Sequence, residues 1–473
     1  MERFDKTPLL KQEAMIGSSK LLFEIICFCF AVFTILMANN VFLSIALLVP
    51  FLFLKDRFTV SLLVVLPVIE TAQMITTDVT ITKIISIFLG LIFLTEIIVQ
   101  GKFFFDRGFV YLLFVFSMVI LGLFIALTSM NFGPMIDWNY EAVISENLAS
   151  ISILLFTAVF YLLIRTIDLP FVVKNLSVAS KSISISIITI TVYFVTHGNM
   201  SFKWSSTITR LSFTNADPNN YASMLAILSV FALYLIYSPN SKAWSIVGII
   251  SYVAAFYSVY LTFSRGGLLT FIFALVLSTL TFARKDKGRL KVIFFVLLFL
   301  IIIIVLFKTG MISSVALYER FFGKSSSGSL SNFTSGRSDL WKAGLSIIWK
   351  RPVFGFGGSY YSSMFINLQE VGMPLVFHNL FLEILVQYGL VGFTIFFLII
   401  VRTFRGYVLT LRFYKRRGKD SERILLLPFI CLFTGLFAGL SLSWQWKEML
   451  WYFIAICLGT TDLLVMRQTH EKT

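Results

Sequence analysis

The hydrophobic pattern of the chain consists of long apolar runs separated by short polar turns. Runs such as residues 301–306 do not alternate between apolar and polar positions, as the strands of a transmembrane barrel would. A bilayer crossing needs about 20 residues of helix, and a helix satisfies its own backbone inside lipid. The pattern predicts fourteen spans, at about residues 21–38, 41–54, 58–77, 81–100, 108–128, 149–167, 176–196, 219–238, 243–263, 266–283, 291–307, 379–401, 425–442 and 446–466.

Composition agrees with this fold class. Hydrophobic residues make up 58% of the chain, charged residues make up 13%, and the mean hydropathy is +0.89. Two of the predicted spans are short or weak, so we expect an all-α, polytopic membrane protein with about 12–14 transmembrane helices. The first apolar run follows a basic leader and lacks a small-residue cleavage site, which indicates an uncleaved span. All four cysteines lie in apolar runs, so the sequence offers no disulfide or zinc spacing.

One long polar stretch, residues 308–378, interrupts the apolar pattern. It divides the chain into an N-terminal transmembrane bundle (1–307), an external loop (308–378) and C-terminal transmembrane helices with a cytoplasmic tail (379–473). Within the loop, apolar side chains recur at helical spacing and charged side chains fill the other face. This pattern predicts an amphipathic helix at the membrane interface, with apolar positions at Leu340, Trp341, Leu345, Ile348 and Trp349.

The distribution of basic residues predicts the topology. With a cytoplasmic N-terminus, most Lys and Arg clusters fall in short cytoplasmic turns, as the positive-inside rule requires, and both termini are cytoplasmic. The formal charge of +15 therefore reflects topology, and we do not expect nucleic-acid binding. The same register places four segments outside: 129–148, 197–217, 264–267 and 308–378. The loop 308–378 carries seven basic and three acidic residues, which fits either an anionic ligand or a solvated lid.

Two arginines in the external segments are candidates for phosphate binding. Arg265 interrupts an apolar region beside Gly266-Gly267, and Arg210 precedes Asp217-Pro218, which predicts the N-cap and first residue of a helix. A guanidinium is always charged and its fork of donors fits phosphate oxygens. The alternative for Arg265 is a topological anchor that reaches the lipid headgroups.

His378 is the candidate for acid–base chemistry. It ends the external loop, and Asn379, Glu383 and Gln387 follow at four-residue spacing along the next helix. A neutral imidazole can accept a proton near pH 7, although a hydrogen-bonded structural histidine is the alternative. Among acidic residues at membrane depth, Glu70 and Glu383 are candidates for function. The external carboxylates are scattered, so we expect no metal.

Several short motifs in this order resemble the O-antigen ligase/polymerase (Wzy/WaaL) family of bacterial surface-polysaccharide enzymes. The resemblance covers about residues 210–400, and the first seven spans add only topology. The motifs are Arg210, Asp217-Pro218-Asn219-Asn220-Tyr221-Ala222, Ser264-Arg265-Gly266-Gly267, Arg337-Ser338-Asp339-Leu340-Trp341, Pro352-Val353-Phe354-Gly355-Phe356-Gly357, His378-Asn379-Leu380 and Gly389-Leu390-Val391-Gly392.

The resemblance implies a GT-C-like integral-membrane glycosyltransferase of lipopolysaccharide or capsule biosynthesis. Its donor would be an undecaprenyl-pyrophosphate-linked oligosaccharide on the outer side of the cytoplasmic membrane, used without a cofactor, nucleotide sugar or metal. Arg210 and Arg265 would bind the pyrophosphate, and His378 would activate the acceptor hydroxyl for inverting attack. Further substrate contacts or supporting groups would come from Arg337, Trp341, Asn379 and Glu383.

The acceptor distinguishes two members of that family. A polymerase transfers the chain to another lipid-linked repeat unit, whereas a ligase transfers it to lipid A-core. The Phe-, Lys- and Asn-rich composition is typical of a low-GC genome, in which capsule polymerases are plentiful, so we favour a polymerase. Family context implies a flippase and a chain-length regulator as partners. The third alternative, a lipid-linked-sugar flippase or transporter, would tolerate loss of His378.

Overall fold

The computed structural model describes residues 95, 98–99, 105–131, 140–197, 202–203, 209–211, 217–238, 241–282, 337–358, 376–418, 420–443 and 447–470. Within these residues the protein is an all-α membrane protein. Its helices are α1 (Arg107–Asn131), α2 (Tyr140–Thr166), α3 (Leu169–His197), α4 (Pro218–Tyr237), α5 (Lys242–Leu261), α6 (Arg265–Phe282), α7 (Arg337–Ile348), α8 (Leu380–Arg417), α9 (Leu427–Ala438) and α10 (Glu448–His470).

Three short elements complete the described architecture. The strands β1 (Phe202–Lys203) and β2 (Thr209–Arg210) pair antiparallel, with Phe202 opposite Arg210. A 3₁₀ helix, Asp420–Leu426, leads into α9. Eight of the described helices, namely all except α7 and α9, are long and apolar enough to cross a membrane.

Helix α4 lies at the centre of the bundle. It packs against α3, α5, α6 and α9, and 89% of its span is buried. Its sequence explains this position, because apolar or small residues occur on every side and no side chain from Tyr221 to Tyr237 is charged. Helix α10 is also buried and packs against α2, α8 and α9. The C-terminal helices therefore share one core with the helices that precede residue 308.

The structure confirms most of the predicted spans that it describes and corrects two of them. The segment predicted at 379–401 is a 38-residue helix, α8, whose backbone breaks at Gly389. The segment predicted at 425–442 contains only the 12-residue α9, preceded by the 3₁₀ turn. The predicted spans 21–38, 41–54, 58–77, 81–100 and 291–307 lie outside the described residues, apart from positions 95, 98 and 99.

The amphipathic helix predicted in the external loop is α7, but its packing face differs from the prediction. Leu340 and Ile348 are buried as expected, together with Ala343 and Ile347. Leu345 and Trp349 are exposed instead. The reason is that α7 packs against α8, so the buried stripe follows the contact with that helix and leaves these two apolar side chains on the outside.

The break in α8 is filled by the backbone of residues 352–358. On one side of the break, Phe356 N–H donates to Val386 O at 3.0 Å, and on the other, Val391 N–H donates to Val353 O at 3.1 Å. Gly389 adopts φ 64° and ψ −165° there, a conformation that essentially only glycine reaches. These hydrogen bonds replace the ones that the broken helix cannot make within itself.

Candidate active site

The start of α6 lies close to the start of α4. Ser264 precedes α6, and its Oγ accepts from the Gly267 N–H at 3.1 Å. A side chain on Gly267 would place its Cβ 2.3 Å from the Cβ of Ala222 in α4, so the glycine is what permits the close approach. The half-buried Arg265 therefore extends from the first residue of α6, where the backbone N–H groups point toward the same end of the bundle.

The start of α7 meets the same place. Arg337 is the first residue of α7, and its Nη1 donates to Ser441 O at 2.6 Å. Gly266 lies against the same residue, since a Cβ there would be 2.8 Å from Ser441 Oγ. Burial lowers the pKa of Arg337, the charge of Asp217 raises it and the charge of Arg265 lowers it. These charges therefore belong to one cluster.

The start of α8 joins this cluster through its N-cap. Asn379 Oδ1 accepts from two backbone N–H groups in the first turn of α8, at 3.0 and 3.1 Å. Its Nδ2 donates to Leu440 O at 3.2 Å, and the Leu380 N–H donates to Gly439 O at 2.7 Å. The carboxamide predicted as a substrate contact is thus the group that fixes how α8 begins.

His378 immediately precedes this cap in a left-handed backbone conformation, with φ 52°. Such a φ is uncommon for a non-glycine residue and persists only where the surroundings hold it. Trp341 contributes, because its Nε1 donates to the carbonyl of Phe377 at 2.9 Å. Burial and the charge of Arg337 lower the pKa of His378, and Asp217 opposes them. The imidazole is therefore neutral at neutral pH.

Glu383 and Gln387 lie on the buried side of α8. Glu383 is 2% exposed and accepts a hydrogen bond from Ser443 Oγ. Gln387 is also buried, one turn further along. The polar stripe predicted from Asn379 onward therefore runs into the protein and away from its surface. Glu70, the other carboxylate of interest, lies outside the described residues.

Backbone hydrogen bonding places Arg210 near the start of α6. It is the last residue of β2, and the next residue, Leu211, donates its N–H to Leu261 O at 3.0 Å. Leu261 ends α5, four residues before Arg265. This hydrogen bond holds β2 beside the α5–α6 turn.

Four helices thus begin in one region, each with the positive end of its dipole directed there. They are α4, α6, α7 and α8, and the cations Arg265 and Arg337 lie at the first residues of two of them. Helix N-termini and guanidinium groups both favour anions, and phosphate in particular. Chemically, the arrangement can hold an anion beside a neutral base. Within the described part of the chain, no group of three or more His, Cys, Asp or Glu residues is arranged to hold a metal ion.

Sequence reasoning missed three residues of this site. Asp217 was predicted only as a helix cap, which it is, accepting from the Asn219 N–H at 3.0 Å. Its influence on Arg337 becomes visible only in three dimensions. Ser441 and Ser443 carry no signal in the sequence, because they lie in a Leu-Ser-Leu-Ser stretch at the end of an apolar run.

The fold and the site together define a polytopic all-α membrane protein with a cationic cluster at one end of its bundle. Residues 250–397 match the family model Wzy_C, described as O-antigen ligase, and this match supports the resemblance to the O-antigen ligase/polymerase family of polysaccharide biosynthesis. The matched region includes Arg265, Arg337, Trp341, His378 and Asn379. No curated protein matches the sequence.

Proposed function

We propose that the protein transfers an undecaprenyl-pyrophosphate-linked glycan to a sugar hydroxyl at the outer face of the bacterial cytoplasmic membrane. The observation that supports it best is the meeting of the starts of α6, α7 and α8. That meeting groups Arg265, Arg337 and His378 around one region. Two guanidinium groups and a neutral imidazole are the set that this reaction needs, because the leaving group is an anion and the nucleophile must lose a proton.

In the proposed reaction, Arg265 and Arg337 bind the pyrophosphate together with the helix N-termini around them. Negative charge grows on the pyrophosphate oxygen as its bond to the anomeric carbon breaks. Fixed cations directed at that oxygen stabilise the developing charge without reorganisation. Arg210 is a third contributor, because β2 is held beside the α5–α6 turn. The donor carries its own leaving group, so the step requires no cofactor.

His378 is the proposed general base. Its neutral imidazole takes the proton of the acceptor hydroxyl while that oxygen bonds to the anomeric carbon from the face opposite the pyrophosphate. The configuration at that carbon is inverted, and the products are the extended glycan and undecaprenyl pyrophosphate. A base of this kind contributes on the order of 100- to 10,000-fold. Asn379 and Trp341 hold the backbone on either side of His378, and Glu383 supports the first turn of α8.

The acceptor we propose is another lipid-linked repeat unit, which makes the protein a polymerase. The reason is the Phe-, Lys- and Asn-rich composition of the chain, which is typical of a low-GC genome, in which capsule polymerases are plentiful. The description of the matched family as O-antigen ligase favours the second candidate, transfer to lipid A-core. Both candidates use the same donor chemistry, and a flippase and a chain-length regulator are the proposed cellular partners.

The test is polysaccharide laddering in cells that lack the chromosomal copy and carry wild type, His378→Ala, Arg265→Ala or Arg265→Lys at equal membrane levels. Single repeat units left on the lipid in the alanine variants would support polymerisation. Full-length chains that stay on the carrier lipid and never reach lipid A-core would indicate a ligase. Normal ladders with His378→Ala would refute the catalytic assignment and favour transport.

A further inference from the structure

Residues 439–443, between α9 and α10, form a short segment that we call the strap. Three hydrogen bonds join it to the start of α8. Gly439 O accepts from the Leu380 N–H at 2.7 Å, and Leu440 O accepts from Asn379 Nδ2 at 3.2 Å. Ser443 Oγ donates to the Glu383 carboxylate. The strap therefore contacts both the N-cap and the first turn of α8, directly after His378.

The strap also contacts the two helices that carry the arginines. Ser441 O accepts from Arg337 Nη1 at 2.6 Å, which fixes the first residue of α7. Gly266 of α6 lies against Ser441, where a Cβ would approach its Oγ to 2.8 Å. The strap is itself anchored, since α9 packs against α4 and α6. One five-residue segment thus touches the first turns of α6, α7 and α8.

Among these contacts, the one between Ser443 and Glu383 is made by side chains on both partners. Glu383 is 2% exposed, and a buried carboxylate needs donors that hold it. It lies in the first turn of α8, where the helix dipole favours negative charge. Removing the Ser443 hydroxyl would take away one donor to the buried carboxylate, which would loosen the attachment of the strap to the first turn of α8 and shift that turn and, with it, His378.

We propose that the strap is a positioning element that sets the separation of His378 from Arg337, with Ser443 fastening it to α8 through Glu383. The proposal rests on the proposed function, because that function requires the base and the cation to face one substrate. It assigns a role to residues outside the region that matches the family model. A displacement of about 1 Å between reacting groups can lower a rate by about 100-fold.

The test compares Ser443→Ala with Ser443→Thr, which retains the hydroxyl. The matched control is Ser229→Ala in α4, because Ser229 is buried and donates within its own helix, to Ala226 O at 2.7 Å. For Ser443→Ala we expect a fall in kcat of about 10- to 100-fold with KM changed less than about threefold. We expect Ser443→Thr to restore most of the rate and Ser229→Ala to behave like wild type.

A second readout follows His378 without any turnover. The chain has three histidines, so ¹³C-labelled histidine gives three titration curves by NMR, assigned with His378→Gln. Arg337 and Asp217 act on His378 in opposite directions, and the cation has the larger effect. Loosening the strap in Ser443→Ala is therefore expected to raise the His378 midpoint toward its ordinary value, while the other two curves stay unchanged.

The outcomes separate the two proposals. An unchanged His378 midpoint in Ser443→Ala, with a loss only of folded protein, would overturn the positioning role and leave a structural one. A shifted midpoint in a protein whose wild type transfers no glycan would support the strap and refute the proposed function. A shifted midpoint with a lower kcat would support both.

Discussion

His378 combines a strained backbone with an imidazole whose pKa is lowered by its surroundings. Its left-handed φ of 52° is held by the Asn379 cap on one side and the Trp341–Phe377 hydrogen bond on the other. Its pKa is lowered by burial and by Arg337, with Asp217 opposing. Because only the neutral imidazole can accept a proton, a lower pKa keeps the base available further into the acidic range. The backbone conformation of His378 and the charges around it are therefore both set by neighbouring residues of the site.

Removing the cation tests this tuning. Arg337→Gln is expected to raise the His378 pKa toward its ordinary value of about 6.5, which moves the acidic limb of kcat/KM to higher pH. The measurement is kcat/KM between about pH 5 and pH 8, where this limb reports the free enzyme's base. Lys342→Gln is the control, because that lysine lies on the same helix with its side chain 79% exposed. A limb that stays in place, or moves to lower pH, would contradict the account.

Trp341 in α7 and Trp349, directly after its last residue, form a natural matched pair. Trp341→Phe keeps an aromatic ring but loses the donor to Phe377 O, whereas Trp349 is 80% exposed. A hydrogen bond of about 1 kcal/mol corresponds to a roughly fivefold lower kcat if it holds the His378 backbone in place. We expect that loss for Trp341→Phe and none for Trp349→Phe. Equal kcat values for the two variants would show that the hydrogen bond does not position the base.

At the scale of elements, the break in α8 separates the part that carries the site from the rest of the helix. The loop 352–358 fits into the break because two glycines face each other. A Cβ on Gly389 would lie 2.3 Å from Val353 O, and one on Gly355 would lie 2.5 Å from Gln387 O. The first turns of α8 can therefore take their own direction toward α7 and the strap.

Gly389→Ala tests the break against a control with the same sign of φ. Gly418, at φ 66°, ends α8 with nothing within 4 Å of its Cβ position. A left-handed alanine costs about 1–2 kcal/mol, which is what we expect for Gly418→Ala. Gly389→Ala adds the clash with the loop, so its loss of unfolding free energy should be at least about twice as large. Thermal unfolding in detergent measures both, and equal losses would show that the loop does not depend on this glycine.

At the scale of the whole molecule, α8 connects the site to a buried charge network near the other end of the bundle. There, Arg402 of α8 pairs with Asp462 of α10, which also accepts from Tyr161 OH of α2 at 2.6 Å. Arg165 pairs with Asp106 beside them. Buried ion pairs of this kind can fix the alignment of neighbouring helices. The charge network and the strap therefore hold α8 at opposite ends.

Asp462→Asn is expected to be one of the most destabilising conservative substitutions in the described part of the chain. It leaves Arg402, only 18% exposed, without its charged partner, and breaking such a pair costs about 3–5 kcal/mol. Glu422→Gln at the pair with Arg417, whose side chain is 29% exposed, should cost about 1 kcal/mol or less. Chemical denaturation of the purified protein measures both, and a neutral Asp462→Asn would refute the role of the network.

How much the sequence could predict follows from which interactions are local. The Asp217-Pro218 helix start, the break before Arg265 and the helix that begins at Arg337 depend on neighbours in the chain, and each was found where it was predicted. The Gly389 break was not predicted, because the hydrogen bonds around it join residues 30 to 38 positions apart in the chain. The strap was missed for the same reason. The catalytic roles themselves remain predictions.

The most direct test of the central claim is glycan transfer by the purified protein in liposomes supplied with an undecaprenyl-pyrophosphate-linked oligosaccharide. The quantity to measure is undecaprenyl pyrophosphate released for each glycosidic bond formed. The account predicts one release per bond in wild type, and a rate at least about 100-fold lower in His378→Ala with donor binding retained. A His378→Ala variant that turns over at the wild-type rate would contradict the account.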